Sequence, residues 1–226
     1  MKIAVLASGR GSNLRAIAEA IDRGQCSARV VSVVSDKADA AALGFASERG
    51  IATAVVSPKA HASRELWDAA LAETVASFSP ELVVLAGFMR IVGASMLARF
   101  PQRIVNVHPA LLPSFPGAHG ARDAIAKGVR ISGCTVHVVD AGVDTGPILA
   151  QAAVAVLPGD DEASLQARIQ RSEHRLLPAV IDAIAKGAIT LGPAGPSFVR
   201  GLAFDERALE SPSFAAAPPG LGGGTT

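Results

Sequence analysis

Three side chains able to hydrogen-bond a reacting group or handle its proton stand out in the middle of the chain: Asn106, His108 and Asp144. Asn106 and His108 end an apolar run, Arg103-Ile-Val-Asn-Val, that reads as a short buried strand. Two residues apart on a strand, their side chains point to the same face. The segment that follows is broken by Pro109, Pro113 and Pro116, which rules out both helix and ladder. An amide and an imidazole at the carboxyl end of a strand stand where open α/β sheets bind ligands. Asp144 lies in a second loop, Asp140-Ala-Gly-Val-Asp-Thr-Gly-Pro147, which leaves another apolar run from Cys134 to Val139. That loop could bring Asp144 beside His108. No GxSxG elbow is present, and neither Cys26 nor Cys134 lies near the cluster in sequence. The chemistry is therefore non-covalent, run by His, Asn and Asp. A plainer alternative stays open on local pattern: His108 as a satisfied structural residue, with Asn106 tying down the proline loop.

A second candidate site is the glycine-rich turn Gly9-Arg-Gly11-Ser12-Asn13. It joins an apolar run, Lys2 to Ala7, to a helical stripe of Leu14, Ile17, Ala18 and Ile21. Backbone N–H groups of such a turn can cradle an anion, and the helix dipole adds to this. A dinucleotide fingerprint would need a small residue where Leu14 stands, and no Gly-Lys-Ser/Thr follows to make a P-loop. Ser12 and Asn13 add polar contacts that suit one terminal phosphate; a tight turn with a helix cap is the alternative. The five histidines, His61, His108, His119, His137 and His174, show no ligand spacing, so no metal is expected. His137 sits inside a strand and reads as structural.

The elements that must position these residues alternate. Strands are expected at residues 2–7, 30–34, 51–56, 82–86 and 103–108, and a hairpin-like pair at 133–139 and 148–156. Helices are expected at 14–21, 38–49, 63–77 (with Ser63 as N-cap), 93–100 and 119–127, where Gly128 is the stop. A long helix should run over 161–186, capped by Asp160 and kinked at Pro178. This order predicts an α/β, Rossmann-like, mostly parallel sheet of about seven strands with helices on both faces. The length of 226 residues suits one domain plus a tail. Residues 1–190 are assigned to the domain, 191–211 to an extension and 212–226 to a disordered Gly/Pro/Ala-rich tail. A formal charge of +1, from 21 basic and 20 acidic residues, gives no support for a nucleic-acid groove. Two cysteines without CxxC spacing fit a reduced, cytoplasmic setting, and the first apolar run is too short for a signal peptide or membrane span.

The chain resembles the formyl-folate-dependent formyltransferases. Five stretches carry the resemblance, spread over about residues 1–190: Ser8-Gly-Arg-Gly-Ser-Asn13, Ser35-Asp-Lys-Ala-Asp39, Leu85-Ala-Gly-Phe-Met-Arg-Ile91, Asn106-Val-His-Pro-Ala-Leu-Leu-Pro113 and Gly142-Val-Asp-Thr-Gly-Pro147. The last two are common to the whole family; the phosphate turn points to its phosphoribosylglycinamide formyltransferase branch. The resemblance implies a catalytic trio of Asn106, His108 and Asp144. It implies that Gly11, Ser12 and Asn13 hold the phosphate of glycinamide ribonucleotide, with Gln170 and Glu173 contacting the ribonucleotide from the long helix. The co-substrate would be 10-formyltetrahydrofolate, lying along Met89, Arg90, Ile91, Val92, Asn106, Asp140, Ala141, Gly142, Val143 and Asp144, with Arg64 near its glutamate side. The partners reduce to these two small molecules, without nucleic acid or membrane, for a monomer or homodimer. Ala110 stands where a serine is more usual, and Ala121 where some members have a polar residue. A hydrolase of formyl-folate or a tRNA formyltransferase would carry a further domain. From a different class, a nucleotide-binding module, or a dehydrogenase using Asp36 on a ribose, remains an alternative.

Overall fold

The computed structural model describes residues 1–198. The extension is therefore covered only to residue 198, and the tail assigned to 212–226 lies outside the described residues. The chain begins with β1 (Lys2–Leu6), α1 (Ser12–Asp22), β2 (Arg29–Ser35), α2 (Ala41–Glu48) and β3 (Ala52–Val55). After a single 3-10 turn at Pro58–Ala60 come α3 (Arg64–Ser77), β4 (Leu82–Leu85), α4 (Ala94–Arg99) and β5 (Ile104–His108). It continues through α5 (Gly120–Lys127), β6 (Ile131–Val138), β7 (Ile148–Ala155) and α6 (Glu162–Ala185), then β8 (Ile189–Thr190) and β9 (Ser197–Phe198).

Seven strands form one sheet in the order β3-β2-β1-β4-β5-β6-β7. The first five run parallel; β6 pairs antiparallel with both β5 and β7. The strand β8 pairs with β9 in a separate two-stranded ladder that the sequence did not announce. The central strands are unbroken apolar runs because both sheet faces are covered. Along β1, Ile3 and Val5 pack under α1, α2, α5 and α6, while Ala4 and Leu6 pack under α3 and α4.

The same alternation aims the candidate site. In β5, Val105 and Val107 face the first core, and Ile104 faces the second. Asn106 and His108 share the parity of Ile104, so both project on the α3/α4 side. In β6, Cys134, Val136 and Val138 belong to the first core, which turns Thr135 and His137 to the site side.

Helix ends account for several boundaries. Ser63 caps α3, its hydroxyl accepting from Leu66 N at 3.2 Å. The cap of α6 is Asp161 rather than Asp160: Asp161 and Ser164 exchange side-chain to backbone bonds at 2.8 and 3.0 Å. Asp160 instead clasps Arg168 at 2.6 and 2.9 Å. Helix α6 stays helical on both sides of Pro178. At α4, the buried Asp68 carboxylate accepts from the N–H groups of Gly93, Ser95 and Met96 at 2.6, 2.8 and 3.2 Å. A Cβ on Gly93 would lie 2.7 Å from that carboxylate, so the close approach requires glycine. Asp68 thus anchors the end of the Gly87–Gly93 segment that walls the cleft.

Candidate active site

Strand β5 delivers Asn106 and His108 to the floor of a cleft of about 380 Å³. Its apolar walls include Leu85, Val92, Val107 and Val139, and its rim is the Asp140–Asp144 loop. The two strands below set the cross-strand pair: Asn106 lies opposite His137 in the antiparallel register. The Asp144 carboxylate closes the group. Its Oδ2 is 3.3 Å from His108 Nδ1, and its Oδ1 is 3.5 Å from His137 Nε2. The Asn106 amide nitrogen is 3.2 Å from the same Nε2. His137, read from sequence as structural, is therefore part of the cluster. The signal for it was the strand alternation combined with the β5–β6 pairing, which a single-strand reading does not supply.

Hydrogen bonding constrains what these groups can do. His108 Nε2 is 2.8 Å from the carbonyl oxygen of Phe115, and Nδ1 faces a carboxylate. Both neighbours are acceptors, so the ring is fully satisfied with a proton on each nitrogen. Asn106 carries two amide hydrogens and can spend at most one on His137, which leaves one for a substrate oxygen. Burial pushes the Asp144 carboxyl up, but the His137 ring, the Gly117 N–H at 2.8 Å and the His108 ring together outweigh it and hold the group below its ordinary value. Asp144 also has φ 55°, a left-handed conformation unusual for a residue with a Cβ and of the kind found at functional turns.

The loops are held by side chains that the sequence did not single out. Thr135 Oγ1 donates to the Ala110 carbonyl at 2.7 Å and accepts from Leu112 N at 3.0 Å. Gln151 donates to the Leu112 carbonyl at 2.9 Å and to the same hydroxyl at 3.0 Å. Together they fix the Pro109–Pro113 stretch on which His108 depends. In the other loop, Asp140 Oδ1 accepts from Gly142 N at 3.0 Å and from Thr145 Oγ1 at 2.7 Å, so Asp140 shapes its own turn. Asp140, Gly142, Val143 and Asp144 line the cleft, as do Met89, Arg90, Ile91 and Val92. Ala141 is exposed and falls outside that lining. Arg64 lines a neighbouring cavity of about 530 Å³ that shares Met89, Arg90 and Ile91 with the first. Its guanidinium reaches the Ile91 carbonyl at 3.4 Å.

The glycine-rich turn lies outside the cleft lining, yet it is tied to the cleft wall through Ser8. The Ser8 hydroxyl accepts from Met89 N at 2.8 Å. Gly11 has φ 71° and precedes α1, where a Cβ would meet Ala42 Cβ at 2.8 Å. No side chain caps α1, and its first turn holds no acidic residue. A helix start of this kind is suited to an anion. Helix α6 closes over the turn: Gln170 donates to Ser12 Oγ at 2.9 Å, and Asn13 donates to Glu173 at 3.0 Å. The five residues assigned to the ribonucleotide are therefore one cluster. Burial raises the Glu173 carboxyl above its ordinary value, against the lowering effect of the Asn13 bond.

That shift has a measurable consequence. A carboxyl with a raised folded pKa costs stability as pH climbs from its unfolded value of about 4.3 through its folded value. Glu173→Gln removes the cost while keeping an acceptor for Asn13. Its Tm relative to wild type should therefore rise between about pH 4 and about pH 7. Thermal melts at the two pH values check this, and a difference that does not change with pH would contradict it.

Asp36, a candidate ribose partner, is buried with its Oδ2 2.9 Å from Arg90 Nε, so it is not presented to a nucleotide. Among the described residues, no helix is long and apolar enough to cross a membrane.

Comparison with known proteins supplies the class to which this mostly parallel sheet, with its β5 histidine and loop carboxylate, belongs. Residues 1–181 match the formyl transferase family, and the chain belongs to it. The phosphoribosylglycinamide formyltransferase of Mycobacterium tuberculosis is 50% identical over 190 residues, 84% of this chain and 87% of that protein. A trifunctional purine biosynthetic protein, adenosine-3 of Drosophila melanogaster, is 44% identical over 85% of this chain, which spans 14% of that longer protein. The crystal structure of glycinamide ribonucleotide transformylase 1 from Symbiobacterium toebii superposes with a TM-score of 0.85 at 45% identity, covering 88% of this chain and 94% of that one.

Proposed function

We infer that the chain transfers a formyl group from 10-formyltetrahydrofolate to the amine of glycinamide ribonucleotide, a step of purine biosynthesis, with Asn106, His108 and Asp144 at the reacting carbon. The observation that carries this reading is the Asp144 carboxylate set between His108 and His137 beside Asn106, on the floor of an apolar cleft. Family membership supplies the reaction class, and the relatives supply the acceptor.

A folate fits the site on chemical grounds. The cleft falls in the range of roughly 300–1,000 Å³ usual for small-ligand pockets. Its apolar walls suit a flat heteroaromatic ring, and the Asp140–Asp144 backbone offers polar groups to the ring's edge. Met89 to Val92 and the Asp140–Asp144 loop would hold it. Bound there, the folate supplies the activated formyl carbon.

The chain's own residues do the rest. Gly11, Ser12 and Asn13 bind the phosphate, and Gln170 and Glu173 orient the sugar, which fixes the amine. Asn106 donates a hydrogen bond to the formyl oxygen as negative charge develops there. Preorganised donors of this kind are worth about 10²–10³ each in rate. The Nε2–H of His108 is the second donor, and the Phe115 carbonyl gives up that bond to the substrate. Asp144 keeps the imidazole oriented and its positive charge balanced. As the carbon–nitrogen bond to the folate breaks, the doubly protonated His108 gives its Nε2 proton to the departing nitrogen and is then recharged by the amine's proton, so the transfer is neutral in protons. Two buried, unpaired thiols suit a reducing cytoplasm, and burial pushes the Cys134 thiol up to about 12.

The test follows tetrahydrofolate release from 10-formyltetrahydrofolate with and without glycinamide ribonucleotide. Release that depends on the ribonucleotide is expected. Release without an acceptor would make the chain a hydrolase, and no release in either case would remove the reading.

A further inference from the structure

The Gly87–Gly93 segment walls both cavities, and it is pinned at three places already described: Ser8 at Met89, Arg64 at Ile91 and Asp68 at Gly93. A fourth contact is of another kind. Asp36, at the end of β2, has a fully buried side chain, and its Oδ2 receives Arg90 Nε at 2.9 Å. Its other oxygen is buried without a partner. The Arg90 side chain is 48% exposed, and Arg90 lines both the catalytic cleft and the cavity that holds Arg64.

A buried carboxylate with one charged partner is an expensive arrangement to keep for stability alone, because desolvation offsets most of the attraction. Its geometric effect is clear. A guanidinium has five donors in a rigid fork, and here the inner one is used by Asp36. Neither terminal amino group of Arg90 has a hydrogen-bond partner among the described residues. The carboxylate thus restrains the fork and leaves its two outer amino groups unspent on a residue that lines both cavities, one of which Arg64 also lines.

We propose that Asp36 is a positioning residue for the co-substrate: it holds Arg90 so that its outer amino groups, with Arg64, receive the carboxylates of the folate's glutamate tail. This rests on the placement of the folate given above. Asp36 touches no substrate and acts through Arg90. It takes the place that a ribose-binding acid would occupy in a dinucleotide fold, and uses it to orient a cation.

The experiment compares 10-formyltetrahydrofolate with the corresponding pteroate, which lacks the glutamate, in steady-state transfer to glycinamide ribonucleotide. Wild type should have a clearly lower KM for the glutamyl folate. Equal values would overturn the folate placement itself, and the tether with it. In Asp36→Asn the KM for the glutamyl folate should rise about tenfold, the loss expected when a charge-assisted contact is loosened. The KM values for the pteroate and for the ribonucleotide should stay within about twofold. A rise shared equally by both folates, or no rise, would overturn the tether while leaving the folate placement standing. Arg90→Lys gives a second, independent reading should Asp36→Asn fail to fold. Its ammonium can still pair with Asp36, so Tm should hold, yet no outer amino groups remain to present. It should show the same selective rise, and a wild-type KM would overturn the proposal.

Discussion

Replacing His108 with alanine is expected to lower kcat for formyl transfer by about 10³, with a much smaller change in either KM. The magnitude follows from the two tasks assigned to one ring. It donates to the formyl oxygen as charge develops, and it is the nearest group able to move the amine's proton. Both matter more in the transition state than in the bound complex, so the loss falls on kcat. The fold should survive. His108 is buried at a strand end, but its partners are a loop carbonyl and a carboxylate that can turn to water once the ring is gone. Steady-state rates on a variant with a near-normal melting curve check this. Retention of a tenth of the wild-type kcat would remove His108 from the chemistry.

The second large effect is at Asp144. Asp144→Asn keeps an acceptor for the Gly117 N–H but removes the charge that lies 3.3 Å from one imidazole and 3.5 Å from the other. The variant should lose about 10² in kcat, since the protonated form of His108 loses its counter-charge. The pH dependence has a definite sign. The Asp144 carboxyl is held below its ordinary value, so it stays ionised down through the usual carboxylate range of about 4. Its contribution to the ordering of the site is therefore fully present at neutral pH and is lost only as pH falls through that depressed value. An acid limb in the wild-type rate profile that lies well above about pH 4 must then belong to another group, and Asp144→Asn should not abolish it. A profile whose acid limb vanishes in the variant would contradict this.

How far the sequence reached can be judged from β5 and β6. The central parallel strands β1 and β4 were legible because each is buried on both faces and so reads as an unbroken apolar run. Asn106 and His108 were legible because two-residue spacing on a strand fixes a common face. Asp144 was legible as a loop residue, but its distance from His108 was not, because it depends on how the β6–β7 hairpin folds back. His137 escaped for the same reason. Its position opposite Asn106 is a property of antiparallel register, which no local pattern encodes. Thr135 and Gln151 were invisible because their task is to satisfy backbone groups of the proline loop, partners that appear only once the loop is built. The cap of α6 was missed by one residue because Asp160 and Asp161 are chemically alike. What separates them is Arg168, two helical turns further on, which claims the first. At the phosphate turn the residue types were informative, but the closing contacts from Gln170 and Glu173 needed the packing of α6 on α1.

The most direct measurement is kcat for ribonucleotide-dependent formyl transfer in His108→Ala, Asp144→Asn and the double variant. If Asp144 acts through His108, removing the ring removes the carboxylate's purpose, and the double variant should be no slower than His108→Ala within about twofold. A double variant slower by the product of the two single losses would mean that the residues act independently, and the His108–Asp144 pair would not be the catalytic unit.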